Sequence, residues 1–411
     1  MYLYCGLKFG GKCCKLTIDN KELSIKRGSI KVLISRLSEI DQIYSYEKEF
    51  CREIGIRPYN ISSWRVSEQF RNWMLHYIAP PSFGNVIDYT YTYSIQYELR
   101  RSVMQKLGVK DYDDAFLLFA PNNTTAIVNV ANLLKARQCK KVCIVNPAYF
   151  SVAQTFCAMG ISYSLESMVR TAETGSFELP YDQIVENGYD AIWITSPVFS
   201  TGLYLHDQEI QKIQKLMEKG VLIVADESFA LPGKELVRSL GVSDCFIGIY
   251  SPHKSISCNN LKFSAVITSD DYENFLEQWA DVLEGNLPQS SCSAIEHFIS
   301  TNYDDCLSAF LQFTAKTYEF IYPLLHGNNI KIDRAPYGSM FTLYFHNITN
   351  EKARTKEFYK QLYANTLTGI LPGYLNGFNE EYGLCFRINM ALDGIEFRQS
   401  VQRLIPYLDA R

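Results

Sequence analysis

The run Val221-Leu222-Ile223-Val224-Ala225-Asp226-Glu227-Ser228 is an apolar segment of strand length that ends in acid. An acid does nothing for a hydrophobic core, so its position at the end of a buried strand draws notice, although a lone Asp there is ordinarily a cap or turn residue. Upstream, Asp207–Lys219 carries aliphatic residues at spacings of three and four, the pattern of an amphipathic helix, and Ala191–Thr195 is another apolar run. Downstream come Cys245–Tyr250 and Phe263–Thr268, and further towards the N-terminus Phe116–Ala120 and Lys141–Val145, with helical patterns at Thr124–Lys135 and Tyr149–Met159. Strand, helix and strand repeated over short loops predicts an α/β chain with a mostly parallel sheet covered on both faces. In such a sheet ligands bind beyond the carboxyl ends of the strands, so chemistry is sought just after each run.

The chain has 411 residues, enough for a large domain and a smaller one. Residues 1–50 read as an N-terminal accessory segment, with a hairpin expected around Asp19-Asn20. Residues 106–285 read as the large domain, while 51–105 and 286–411 together read as the small α+β domain, with strands at Ser339–Phe345 and Leu384–Met390 and a last helix from Gly394 to Leu408. Basic and acidic side chains number 40 and 44, a formal charge of -4, so nothing pulls the protein towards nucleic acid or an anionic membrane. Small-molecule chemistry is the expectation. The 12 cysteines are scattered through hydrophobic segments without zinc-type spacing, which favours a reduced, cytoplasmic protein with no metal. The first residues lack a basic stretch followed by an apolar run, and no segment reaches the roughly 18 apolar residues needed to span a bilayer.

Three short stretches carry polar residues where a plain fold would not need them. In Ile249-Tyr250-Ser251-Pro252-His253-Lys254-Ser255 a lysine follows a buried strand, with Ser251 before it and Lys262 after it, though a loop lysine is ordinarily solvated. Arg387 interrupts the apolar strand Leu384-Cys385-Phe386-Arg387-Ile388, and a buried guanidinium needs an anion, either a ligand or a structural ion-pair partner. Asn122-Asn123-Thr124-Thr125-Ala126 lies between a strand and a helix, where it is either a plain N-cap or an anion site.

The order and spacing of these pieces, with Ser196-Pro197-Val198-Phe199-Ser200-Thr201-Gly202, resemble the fold-type I pyridoxal-phosphate (PLP) enzymes, specifically the class I/II aminotransferases, over about residues 55–411. The resemblance implies a large three-layer domain and a PLP enzyme acting on an L-α-amino acid. Lys254 would carry the cofactor and move the substrate proton, and Asp226 would pair with the protonated pyridine nitrogen that makes the ring an electron sink. Asn122, Asn123, Thr124, Ser251 and Lys262 would line the phosphate cup, Tyr149 would stack on the pyridine, and Arg387 would clamp the α-carboxylate. A core tyrosine is the plainer reading of Tyr149. The segment Tyr89–Arg100 resembles the family stretch that lends a tyrosine to a neighbouring subunit, here Tyr91, which implies a homodimer with shared active sites.

Three positions depart from the family pattern. Phe199 stands for an asparagine and Phe229 for a tyrosine that donate to the cofactor's phenolic oxygen, and Lys262 stands for a phosphate-binding arginine. Without the two donors, the lysine-bound cofactor is expected to keep its proton to unusually high pH. The departures leave open a specialised elimination or cyclisation in place of transamination, and a degenerate PLP-fold binding protein is a third reading. A nicotinamide enzyme is disfavoured because no G-x-G-x-x-G follows any strand.

Overall fold

The computed structural model describes residues 39, 42–78, 92–108, 115–171, 175–285, 287–333 and 338–411. Seven strands form the main sheet: β1 (Ala115–Ala120), β2 (Val142–Asn146), β3 (Tyr163–Ser167), β4 (Ala191–Thr195), β5 (Leu222–Glu227), β6 (Phe246–Tyr250) and β7 (Ser264–Ser269). Their order is β1-β7-β6-β5-β4-β2-β3. Only β7 runs antiparallel to its neighbours β1 and β6. The architecture is therefore α/β with a large, mostly parallel sheet.

Side-chain alternation along β5 explains how both faces are buried. Ile223 and Ala225 pack into one core, and Leu222 and Val224 into the other, beneath helices Asn123–Ala136 and Phe150–Met159. Asp226 shares the parity of Leu222 and Val224, so it points to the face where the helix Asn123–Ala136 begins. Register brings the strand ends together. Asp226 pairs with Thr195 on one side and Ile249 on the other, while Tyr250 pairs with Ala265 and Ala120 with Ser264. The segments after β1, β2, β4, β5 and β6 thus meet at one edge.

A second, antiparallel sheet contains β8 (Ile330–Ile332), β9 (Met340–Phe345) and β10 (Leu384–Asn389), in that order. Leu384, Phe386 and Ile388 enter a separate core with Phe358, Phe397 and Leu404. The period of two then sends Arg387 to the opposite face, towards the main sheet. Residues 42–54 are helical, and Ile43 and Phe50 belong to this second core. Thr342 on β9, cross-strand from Arg387, donates 2.9 Å to the Ser200 carbonyl beyond β4. Gly377 sits nearby with φ +77°, and a Cβ there would strike the Asn146 carboxamide, so only glycine lets that loop close on the end of β2. Among the described residues no helix is long and apolar enough to cross a membrane. The expected hairpin at Asp19-Asn20 and Tyr91 both fall outside the described residues.

Candidate active site

Asp226 is fully buried at the end of β5, where an unsatisfied carboxylate would be costly. The backbone N–H and hydroxyl of Ser228 both donate to its Oδ1, and the same hydroxyl meets the Asn123 amide. Burial nonetheless drives its pKa up, with Ser228 and then Lys254 pulling it down. Asn122 is the N-cap of helix Asn123–Ala136, accepting 3.0 Å from Thr125 N–H, which leaves Asn123 free to turn to the Asp226 cluster. Thr124 is exposed in the first turn. The N-cap role and the site role, alternatives in the sequence, are thus divided between adjacent residues.

Lys254 stands in the single turn Pro252–Ser255 that follows β6, its backbone N–H donating 2.8 Å to the Ser251 carbonyl. Its Nζ lies 5.6 Å from the centre of the Phe229 ring. Burial lowers its pKa to about 8, helped by the charge of Lys262 and opposed by Asp226. Lys262 itself is exposed. The Ser251 hydroxyl is buried and shares a 2.6 Å hydrogen bond with Ser264.

Arg387 is 4% exposed, and among the described residues no carboxylate pairs with it. Its Nε donates 2.9 Å to the Ser62 carbonyl, the Ser62 hydroxyl returns a 2.7 Å bond to the Arg387 carbonyl, and Nη1 reaches Ser200 Oγ at 3.5 Å. Nη2 is buried with no hydrogen-bond partner. Burial depresses the guanidinium pKa to about 9, so the group remains charged at neutral pH. Tyr149 lies between the two ends: its ring stacks on Phe199 at 5.9 Å and 25°, and its hydroxyl feels Arg387 and Asp226. Burial raises the Tyr149 pKa, while Arg387 opposes the rise. A cavity of about 1350 Å³ opens beside Arg387, lined by Tyr149, Ser62, Ser63 and Trp64.

Asp226, Asn123, Lys254, Phe229, Tyr149, Phe199 and Arg387 therefore gather around one region. Ser251 and Lys262 flank it with their side chains engaged elsewhere or exposed. Ser62, Trp64 and Ser228 are additional residues of the site. Ser228 stood in the quoted run but had no pattern to mark it, while Ser62 and Trp64 lie more than 300 residues from Arg387 and carried no periodicity at all.

No protein-family model and no curated protein sequence matches the chain. Solved structures do match it in shape. YbdL from Escherichia coli, described with a methionine aminotransferase function, superposes with a TM-score of 0.69 at 10% identity, covering 89% of this chain and 96% of that one. N-succinyldiaminopimelate aminotransferase from Mycobacterium tuberculosis gives 0.69 at 15% identity with the same coverage. The PLP-dependent cyclase OrfR gives 0.68 at 17% identity, covering 89% and 97%. At such identities the likeness is one of fold, and it spans the large and small sheets together. The chain has the fold of the PLP-dependent aminotransferases.

Proposed function

We propose that the protein is a PLP-dependent enzyme acting at Cα of an L-α-amino acid, with transamination as its reaction. One observation carries the reading: a buried, charged Arg387 that has no carboxylate partner among the described residues and an unpartnered Nη2, on the wall of a cavity that Tyr149 also lines. A structural arginine would have brought its own anion. This one fits an anion that arrives with a ligand, and a planar carboxylate suits the geometry of a guanidinium edge.

The residues present also fit the cofactor. Asp226, whose buried carboxyl lacks a full counter-charge, would hold a protonated ring nitrogen. The N-terminus of helix Asn123–Ala136, exposed Thr124 and Lys262 would receive a phosphate. When bound, PLP supplies the electron sink that acidifies the substrate Cα–H. Lys254, with a pKa of about 8, has about a tenth of its amine neutral at pH 7 and is able to take and return that proton. Arg387 holds the carboxylate, and Tyr149 with Phe199 walls the site against water. The homodimer and the role of Tyr91 belong to the same reading and rest on the resemblance alone.

A second reading, elimination or cyclisation, is favoured by Phe199 and Phe229, which bring hydrocarbon rings where the family places hydrogen-bond donors. Absorbance before and after borohydride tests the cofactor, and a spectrum unchanged in Lys254→Ala would refute the proposal. A panel of L-amino acids with and without an α-keto acid separates the two reactions, because only transamination needs the acceptor for turnover.

A further inference from the structure

Trp64 touches residues of both ends of the site. The Arg387 Cζ lies 3.5 Å from the centre of the Trp64 indole ring, which stacks on the Phe229 ring at 5.2 Å and 12°. Phe229 in turn lies 5.6 Å from Lys254 Nζ. The Trp64 carbonyl accepts 2.9 Å from Asn259 Nδ2, five residues beyond Lys254, and Ser62 two residues earlier exchanges two hydrogen bonds with Arg387. One short loop is therefore fastened to the small sheet through Arg387, to the end of β5 through Phe229, and to the lysine loop through Asn259.

We propose that Trp64 is a positioning residue that holds the Arg387 guanidinium in place for a substrate carboxylate, and that links this anchor through Phe229 to Lys254. The physical case is one of alternatives. A buried guanidinium with hydrogen bonds on Nε and Nη1 alone can still rotate or withdraw about its side-chain torsions. An aromatic ring against it supplies attraction without using a donor, so the remaining N–H groups stay available. A carboxylate in place of the indole would also have held the arginine, but would have neutralised it and competed with the ligand. The fixed geometry spares the ligand the cost of ordering the anchor.

The inference rests on the proposed function, and its test separates the two. Sodium propionate and 3-phenylpropionate, carboxylates without an amine, are titrated calorimetrically into the PLP-loaded protein and into its Arg387→Ala, Trp64→Leu and Trp64→Phe variants. Expected is binding to the parent protein, abolished in Arg387→Ala. It weakens about tenfold in Trp64→Leu, equal to about 1.4 kcal/mol, and is restored to within about threefold in Trp64→Phe, which keeps an aromatic face. Carboxylate binding should also change the tryptophan fluorescence of the parent but not of Trp64→Phe. In turnover with the best amino acid of the panel, Trp64→Leu should raise KM more than it lowers kcat, with cofactor absorbance and Tm kept. Affinity in Trp64→Leu equal to or tighter than the parent, or equal loss in the Leu and Phe variants, overturns the role of Trp64 while leaving Arg387 as the anchor. Binding that survives in Arg387→Ala, or no binding to the parent, overturns the anchor and with it both proposals.

Discussion

The Lys254–Asp226 end and the Arg387 end of the site solve the problem of buried charge in opposite ways. At the first, an acid at the end of a parallel strand is hydrogen-bonded by Ser228 and faces a lysine whose pKa has fallen to about 8. Both groups can lose their charge by moving a proton. At the second, a guanidinium in an antiparallel strand has no acid paired with it among the described residues and stays charged, cushioned by an indole and two serines. Proton transfer relieves the first end, whereas the second is relieved only by an anion from outside. Under the proposed function, proton movement belongs to one end and recognition to the other.

Four measurements break or sharpen that contrast. The largest effect is expected from Asp226→Asn, which should lower turnover by about a hundredfold or more by removing the charge that would hold the ring nitrogen protonated. Next, Arg387→Leu should raise the amino-acid KM about a hundredfold with cofactor binding intact. It should lower the melting temperature of the cofactor-free protein only slightly, because the bonds lost go to a carbonyl and a hydroxyl and no counter-ion among the described residues is orphaned. A marked fall in Tm would make Arg387 a structural residue and dissolve the comparison.

A third measurement reads Lys254 directly. Amine-labelling of the cofactor-free protein should titrate with a midpoint near pH 8, and lower still in Asp226→Asn, since Asp226 is the group that pulls this pKa upward. The sign for stability follows: the native chain binds fewer protons than the unfolded one between about pH 8 and 10.5, so this group's contribution grows as pH rises through that window and is lost as pH falls to 8. The smallest effect is expected from Phe229→Tyr. A hydroxyl restored there should shift the absorbance titration of the PLP-loaded protein to lower pH by about one unit. No shift would mean that Phe229 serves only as the support of Trp64.

The main sheet was legible because six of its strands are buried on both faces and therefore read as apolar runs. The seventh, Tyr163–Ser167, was not, since as an edge strand it leaves Ser164 and Leu165 exposed and shows no such run. The antiparallel sense of β7 was equally hidden, because burial marks a strand and not its direction. Arg387 was legible as a charge inside an apolar alternation, Asp226 as an acid at the end of a buried strand and Lys254 as a lysine just beyond another. Ser228 and Trp64 were not, because neither breaks a local pattern.

Local chemistry determined the α/β class and marked three ionisable residues as unusual, and the family resemblance gave them their expected roles. Only the tertiary structure decided that Arg387 has no protein anion among the described residues and that Trp64 contacts both it and Phe229. Both depend on what other segments fail or manage to bring within a few ångströms, and no spacing along the chain encodes that.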